Sequence, residues 1–145
     1  MLIYIAAYAT ALLAFAAIDI TWLTTMGAAL YRSTLGDILL PTVRIPPAIA
    51  FYLLYPLGIV IFAVAPALRS GSAPTALIYG GLFGLVTYAT YDLTNFATLR
   101  NWTLKITIID MIYGAVAVAL VAVITYFVAQ WLGTGLISHR AGFKR

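Results

Sequence analysis

Thr87-Tyr88-Ala89-Thr90-Tyr91-Asp92-Leu93-Thr94-Asn95 decides how the chain is read, because it sets a carboxylate and an amide inside an otherwise apolar helix. A charged side chain near a bilayer centre costs about 2.5 to 17 kcal/mol, depending on how far it reaches water, so an intramembrane Asp is by default a functional-site candidate. Just upstream, Tyr79-Gly80-Gly81-Leu82-Phe83-Gly84 presents small residues, and Gly80 and Gly84 have the spacing with which membrane helices pack closely. Continuing that stripe by fours and threes gives Tyr88, Asp92 and Asn95. The glycines that draw a partner helix near therefore deliver polar residues to the same interface. The bland alternative is that Asp92 and Asn95 only hydrogen-bond one helix to another.

The chain around this stretch belongs in lipid. Of its 145 residues 64% are hydrophobic and 8% charged, where soluble domains carry about 25% charged residues. Every acidic residue is an Asp, and Asp19, Asp92 and Asp110 fall inside apolar runs while Asp37 lies in a connection. The net charge of +4 comes from Arg and Lys in loops and tail. That suits anionic membrane lipids as partners, and no soluble basic face exists to carry nucleic acid. There is no Cys, which excludes disulfides, thiolate catalysis and thiolate-held metals. The single His, His139, sits in a basic tail and reads as solvated or headgroup-facing, so Ser-His-Asp chemistry is not expected.

The expected fold is all-α, an integral membrane four-helix bundle forming one transmembrane domain over 1–145, with helices at about 2–26, 46–68, 74–98 and 106–132. Each is long enough to cross a hydrocarbon core of about 30 Å. The first lacks the basic leader of a secretory signal and is too long for one, so it is expected to be retained. Its face carries Phe15, Asp19 and Trp22. The mixed segment 27–44 is expected to lie along the interface, and the tail 133–145, with Arg140, Lys144 and Arg145, to anchor at headgroups. Pro46-Pro47 opens the second helix; Pro56 inside it is expected to kink it and to free the Tyr52 carbonyl. Asp110, near the start of the fourth helix, has a capping role as its bland reading.

With four spans, Asp19, Tyr52, Asp92 and Asp110 all lie about 6–10 Å from helix ends on one membrane face. They form one polar layer if the faces converge. Asp19-Ile20-Thr21 resembles Asp92-Leu93-Thr94, and Tyr55 and Gly58 are answered by Tyr113 and Gly114, as two parallel-duplicated helical hairpins would give. Carboxylates close together require a proton or a cation. Asp19, Asp92, Asn95, Asp110, Tyr88 and Tyr52 are the candidate ligand or ion-binding residues, suited by their oxygens to a hard cation such as Mg²⁺ or Ca²⁺, or to an ammonium held over tyrosine faces. Arg32, Arg44, Arg100 and Lys105 are candidate headgroup contacts, and Arg44, Arg100 or Lys105 could instead reach down to pair with an Asp. Lys and Arg are balanced between the two faces, so orientation stays open.

The chain resembles a family of small bacterial predicted membrane proteins, the domain of unknown function 2177. The likeness rests on Asp19 with Trp22, Phe51-Tyr52 with Tyr55 and Gly58-Ile59, the stretch Tyr88 to Thr98, and Trp102, Thr107, Asp110 and Gly114. Tyr113 stands where Trp is expected. The resemblance implies a four-helix protein of the bacterial inner (cytoplasmic) membrane and no established activity or cofactor.

The leading functional expectation is a membrane protein that binds or conducts a proton, cation or small polar ligand at the Asp19, Asp92 and Asp110 layer. A second class is an enzyme on lipid or isoprenoid, with an Asp as acid or base and Arg44, Arg100 and Lys105 holding phosphate; no nucleophile or metal motif supports it. A third is a non-catalytic subunit of a larger assembly or an oligomer, in which the layer only fixes helix register.

Overall fold

A computed structural model describes residues 1–142, with side chains described except for Asp37 and those beyond Gly133. Four helices run in sequence: α1 (Leu2–Met26), α2 (Ile45–Ser70), α3 (Ala73–Thr98) and α4 (Leu104–Gly142). Each packs on the next and α4 packs back on α1, which closes the ring. Three helical stretches, Leu2–Leu35, Ile45–Ser70 and Leu104–Gly133, are long and apolar enough to cross a membrane. The 26-residue α3 is diluted by its glycines, threonines and tyrosines. The protein is an all-α membrane bundle.

Local chemistry sets the helix ends. Pro46 and Pro47 occupy the first turn of α2, where a missing N–H costs nothing. Gly71, in the left-handed conformation at φ 64°, closes α2, and the Ser72 hydroxyl then caps α3 by accepting from the Thr75 N–H. The Thr103 hydroxyl accepts from the Ile106 N–H at 3.3 Å, so Thr103 caps α4. Asp110 therefore lies nearly two turns inside α4 and has no capping role, contrary to the simplest reading of its position. Within α1 and α3 the hydroxyls of Thr10, Thr21, Thr87 and Thr94 donate to carbonyls four residues earlier, which satisfies them inside their own helices.

Buried positions fall on stripes with a spacing of four: Ala7, Ala11, Phe15 and Asp19 on α1; Ala76, Gly80, Gly84 and Asp92 on α3; Ile106, Asp110, Gly114, Val118 and Ala122 on α4. The outward faces carry Leu13, Leu54, Phe62, Ile78, Val86, Ile112 and Phe127, all exposed. Soluble domains rarely leave so many large apolar side chains facing outward, and lipid is the solvent that suits them.

Two stretches depart from α geometry. Gly27–Arg32 continues α1 as a π-helix, followed by the short turns Ser33–Leu35 and Gly36–Ile38. This segment packs against the protein: Leu30 and Leu35 are buried with Trp102 and Ile106. The interfacial piece expected over 27–44 is in this part a strap across the ends of α3 and α4. The second π stretch, Val60–Val64, follows Pro56 by one turn and packs against α3. The basic tail with His139, Arg140, Lys144 and Arg145, expected as a headgroup anchor, has its side chains outside the described residues.

Candidate functional site

The α3–α4 interface sets the register of the site. A methyl group added at Gly80 would lie 2.7 Å from the Ala122 Cβ, and one at Gly84 would lie 2.8 Å from the Val118 Cβ and overlap the Gly114 carbonyl oxygen. The Tyr88 ring lies directly against Gly114. Each step of four along α3 is thus a step of four back along α4, from Gly80 and Ala122 through Gly84 and Val118 to Tyr88 and Gly114. The next step places Asp92 opposite Asp110. Consistent with that register, the two carboxylates lie within electrostatic reach of each other.

Asp19 closes the other side. Its Oδ2 accepts from the Tyr52 hydroxyl of α2 at 2.7 Å, and its Oδ1 accepts from the Tyr113 hydroxyl of α4 at 3.3 Å. Three helices therefore meet at one carboxylate. Tyr52 contributes its hydroxyl here, where sequence reasoning had looked to its carbonyl. Phe15, one turn before Asp19, packs its ring against Phe51, Tyr52 and Tyr55.

Trp22 joins the two sides. Its ring stacks on Tyr113 with centroids 4.0 Å apart and planes within 9° of parallel. Its Nε1–H donates to the Tyr31 hydroxyl at 3.1 Å, and that hydroxyl donates to Asp110 Oδ1. Tyr88 stands edge-on to both Tyr113 and Tyr55, and the Tyr55 hydroxyl is bonded to Thr87 at 2.7 Å. Asp110 in turn lies within electrostatic reach of Asp19.

Asp92 differs from the other two carboxylates. It is 0% exposed and neither of its oxygens has a hydrogen-bond partner. Asn95, one turn on, is half-buried beside Tyr91. The groups acting on Asp19 and Asp110 are tyrosines, a tryptophan and other carboxylates, with no cation among them. Arg32, Arg44, Arg100 and Lys105 are all exposed. Among the described residues no three acidic, His or Cys side chains stand close enough together to hold one metal ion.

Asp19, Asp92, Asp110, Tyr52 and Tyr88, singled out in the sequence, thus come together in the bundle interior. Tyr31 was missed, because its inward placement depends on the π-helical strap. Tyr113 was legible from its place one turn after Asp110 on the same face, and Trp22 from the same spacing after Asp19. A family described as Predicted membrane protein (DUF2177), a domain of unknown function, matches residues 4–127. The chain belongs to this family. The match takes in every buried carboxylate and aromatic described above, so the whole layer lies within the family's domain. Neither a curated protein nor a solved structure matches the chain significantly.

Proposed function

We propose that the protein takes up a small positively charged or proton-bearing ligand at the intramembrane layer of Asp19, Asp92 and Asp110, with Tyr52, Tyr88 and Asn95 as neutral partners. The observation that carries this reading is the Asp92 carboxylate, fully buried with neither oxygen bonded. An uncompensated charge in such surroundings costs several kcal/mol, and even an unpaired neutral polar group costs about 1–3 kcal/mol. A group serving only to fix helix register would be hydrogen-bonded across the interface, as Asp19 is to Tyr52. Asp92 instead stands ready for a partner that arrives from outside the chain. Arg32, Arg44, Arg100 and Lys105, exposed in the connections, are assigned to lipid headgroups.

Reconstitution in liposomes tests the reading. Uptake of protons or of small cations, followed by entrapped indicators, is expected for the native chain and is expected to vanish in Asp92→Asn. Uptake unchanged by that substitution, or absent from the native chain, contradicts the proposal.

A further inference from the structure

We infer that residues 45–54, the first half of α2, form a hinged lateral gate over Asp19, latched to α1 by Tyr8 and Tyr52. The two halves of α2 are packed differently. From Pro56 onward the helix buries Pro56, Ile59, Ala63, Val64 and Ala67, and its second half packs against α3. The first half packs on α1. There Ile45, Ile49, Phe51, Leu53 and Leu54, which point to several sides of the helix, are exposed, while Ala48 and Tyr52 on the inward side are half-buried.

The boundary between the halves has the parts of a hinge. Pro56 has no N–H, so the Tyr52 carbonyl lacks its donor from the following turn. One turn later the chain is π-helical over Val60–Val64. The Phe83 ring of α3 is the pivot. It stacks on Tyr55 with centroids 5.6 Å apart and on Phe62 at 5.5 Å, one ring on each side of Pro56. Gly58 makes room for it, since a methyl group there would lie 2.7 Å from the ring.

Hydrogen bonds latch the first half shut. The Tyr8 hydroxyl donates to the Leu53 carbonyl at 2.9 Å, and the Tyr52 hydroxyl donates to Asp19 Oδ2 at 2.7 Å. Apolar contacts such as that of Phe15 with Phe51 hold it too, but acyl chains replace these at little cost, because lipid is as apolar as the side chains it would meet. Swinging outward withdraws Tyr52 and bares Asp19, which is only 6% exposed with the gate shut. The opening faces sideways, toward the bilayer. The swing is a property of α2 that goes beyond the uptake reading; its control of uptake rests on that reading.

The test uses pairs of spin labels on the full-length chain in lipid nanodiscs, attached to cysteines introduced into the cysteine-free background. Ile49 with Leu93 spans the gate, and Ile61 with Ile78 spans the packed half of α2; all four positions are exposed. Pulsed electron paramagnetic resonance is expected to give two populations of distance for the first pair and one narrow distance for the second. Pro56→Ala restores the missing donor and is expected to reduce the first pair to a single population. Tyr8→Phe is expected to raise the population lost in Pro56→Ala about threefold, the effect of removing one interhelical hydrogen bond in a membrane. Tyr8 lies outside the carboxylate layer, so Tyr8→Phe is also expected to speed liposome uptake of protons or small cations about threefold, with the half-saturating concentration unchanged. Equally narrow distances for both pairs, in the native chain and in Tyr8→Phe, overturn the inference. So does uptake by Tyr8→Phe at the rate measured for the native chain. Absence of uptake from the native chain contradicts the uptake reading alone, because the distances still report the swing.

Discussion

Replacing Gly84 by Ala tests whether the α3–α4 contact positions the site. The added methyl would lie 2.8 Å from the Val118 Cβ and overlap the Gly114 carbonyl. Carbon atoms in contact settle at about 3.5–4.0 Å, so the helices must separate by about 1 Å, and a backbone carbonyl cannot turn aside as a side chain can. Overpacking of this kind costs about 1–3 kcal/mol. Alanine's better helix propensity returns about 1 kcal/mol. Gly81 is the internal control, because a methyl there would meet the Ala115 oxygen and the Ala119 Cβ both at 3.8 Å, which is ordinary contact. Gly81→Ala gains the same propensity without the overlap. Subtracting one variant from the other cancels that gain and leaves the overpacking, so Gly84→Ala should be less stable than Gly81→Ala by about 1–3 kcal/mol. Reversible unfolding in mixed micelles measures the gap, and equal stabilities would refute the close approach on which the register rests.

Other perturbations read the site directly. Tyr52→Phe removes the 2.7 Å bond to Asp19 and should cost about 1.5–3 kcal/mol in the same unfolding assay, more than Tyr113→Phe, whose bond is 3.3 Å long. Asp92→Leu replaces an unbonded buried carboxylate with an apolar side chain and should stabilise the ligand-free protein by about 1–3 kcal/mol in the same unfolding assay while abolishing uptake in liposomes. Gly36, at φ 53° and ψ −122°, turns the strap in a conformation closed to other residues. Gly36→Ala should displace Tyr31 and increase labelling of a cysteine introduced at Leu35 by a water-soluble thiol reagent, which the cysteine-free background makes readable.

Much of this arrangement was legible in the sequence because the spacing of four is a direct record of one helix face. Asp19 continues the Phe15 stripe, and Asp92 continues Gly80, Gly84 and Tyr88. Reading those stripes was enough to bring the carboxylates inward. Asp110 was harder, since an acid close to a helix start has an ordinary capping role. Only the cap at Thr103, which begins α4 earlier than hydropathy alone places it, shows that Asp110 is too far along to serve as one. Tyr31 was out of reach for a different reason. It follows the apolar run of α1 in a mixed segment, and a π-helical stretch shifts which side chains face inward relative to a 3.6-residue period. Composition does not encode that shift. The behaviour of the loop cations was equally unreadable: a long Arg or Lys can bend down to a carboxylate or outward to headgroups at similar cost, and only coordinates show Arg44, Arg100 and Lys105 exposed.

Ligand uptake at this layer requires Asp92 and Asp110 to face each other inside protein. With four Asp and no Glu in the chain, carbon-13 labelling of aspartate side chains gives a carboxyl spectrum simple enough to assign by single substitutions. Solid-state NMR of the labelled protein in bilayers should show a through-space cross-peak joining the Asp92 and Asp110 carboxyl carbons, and no magnetisation transfer from bulk water to Asp92. An Asp92 carboxyl that exchanges magnetisation with water or lipid and has no cross-peak to Asp110 would contradict it.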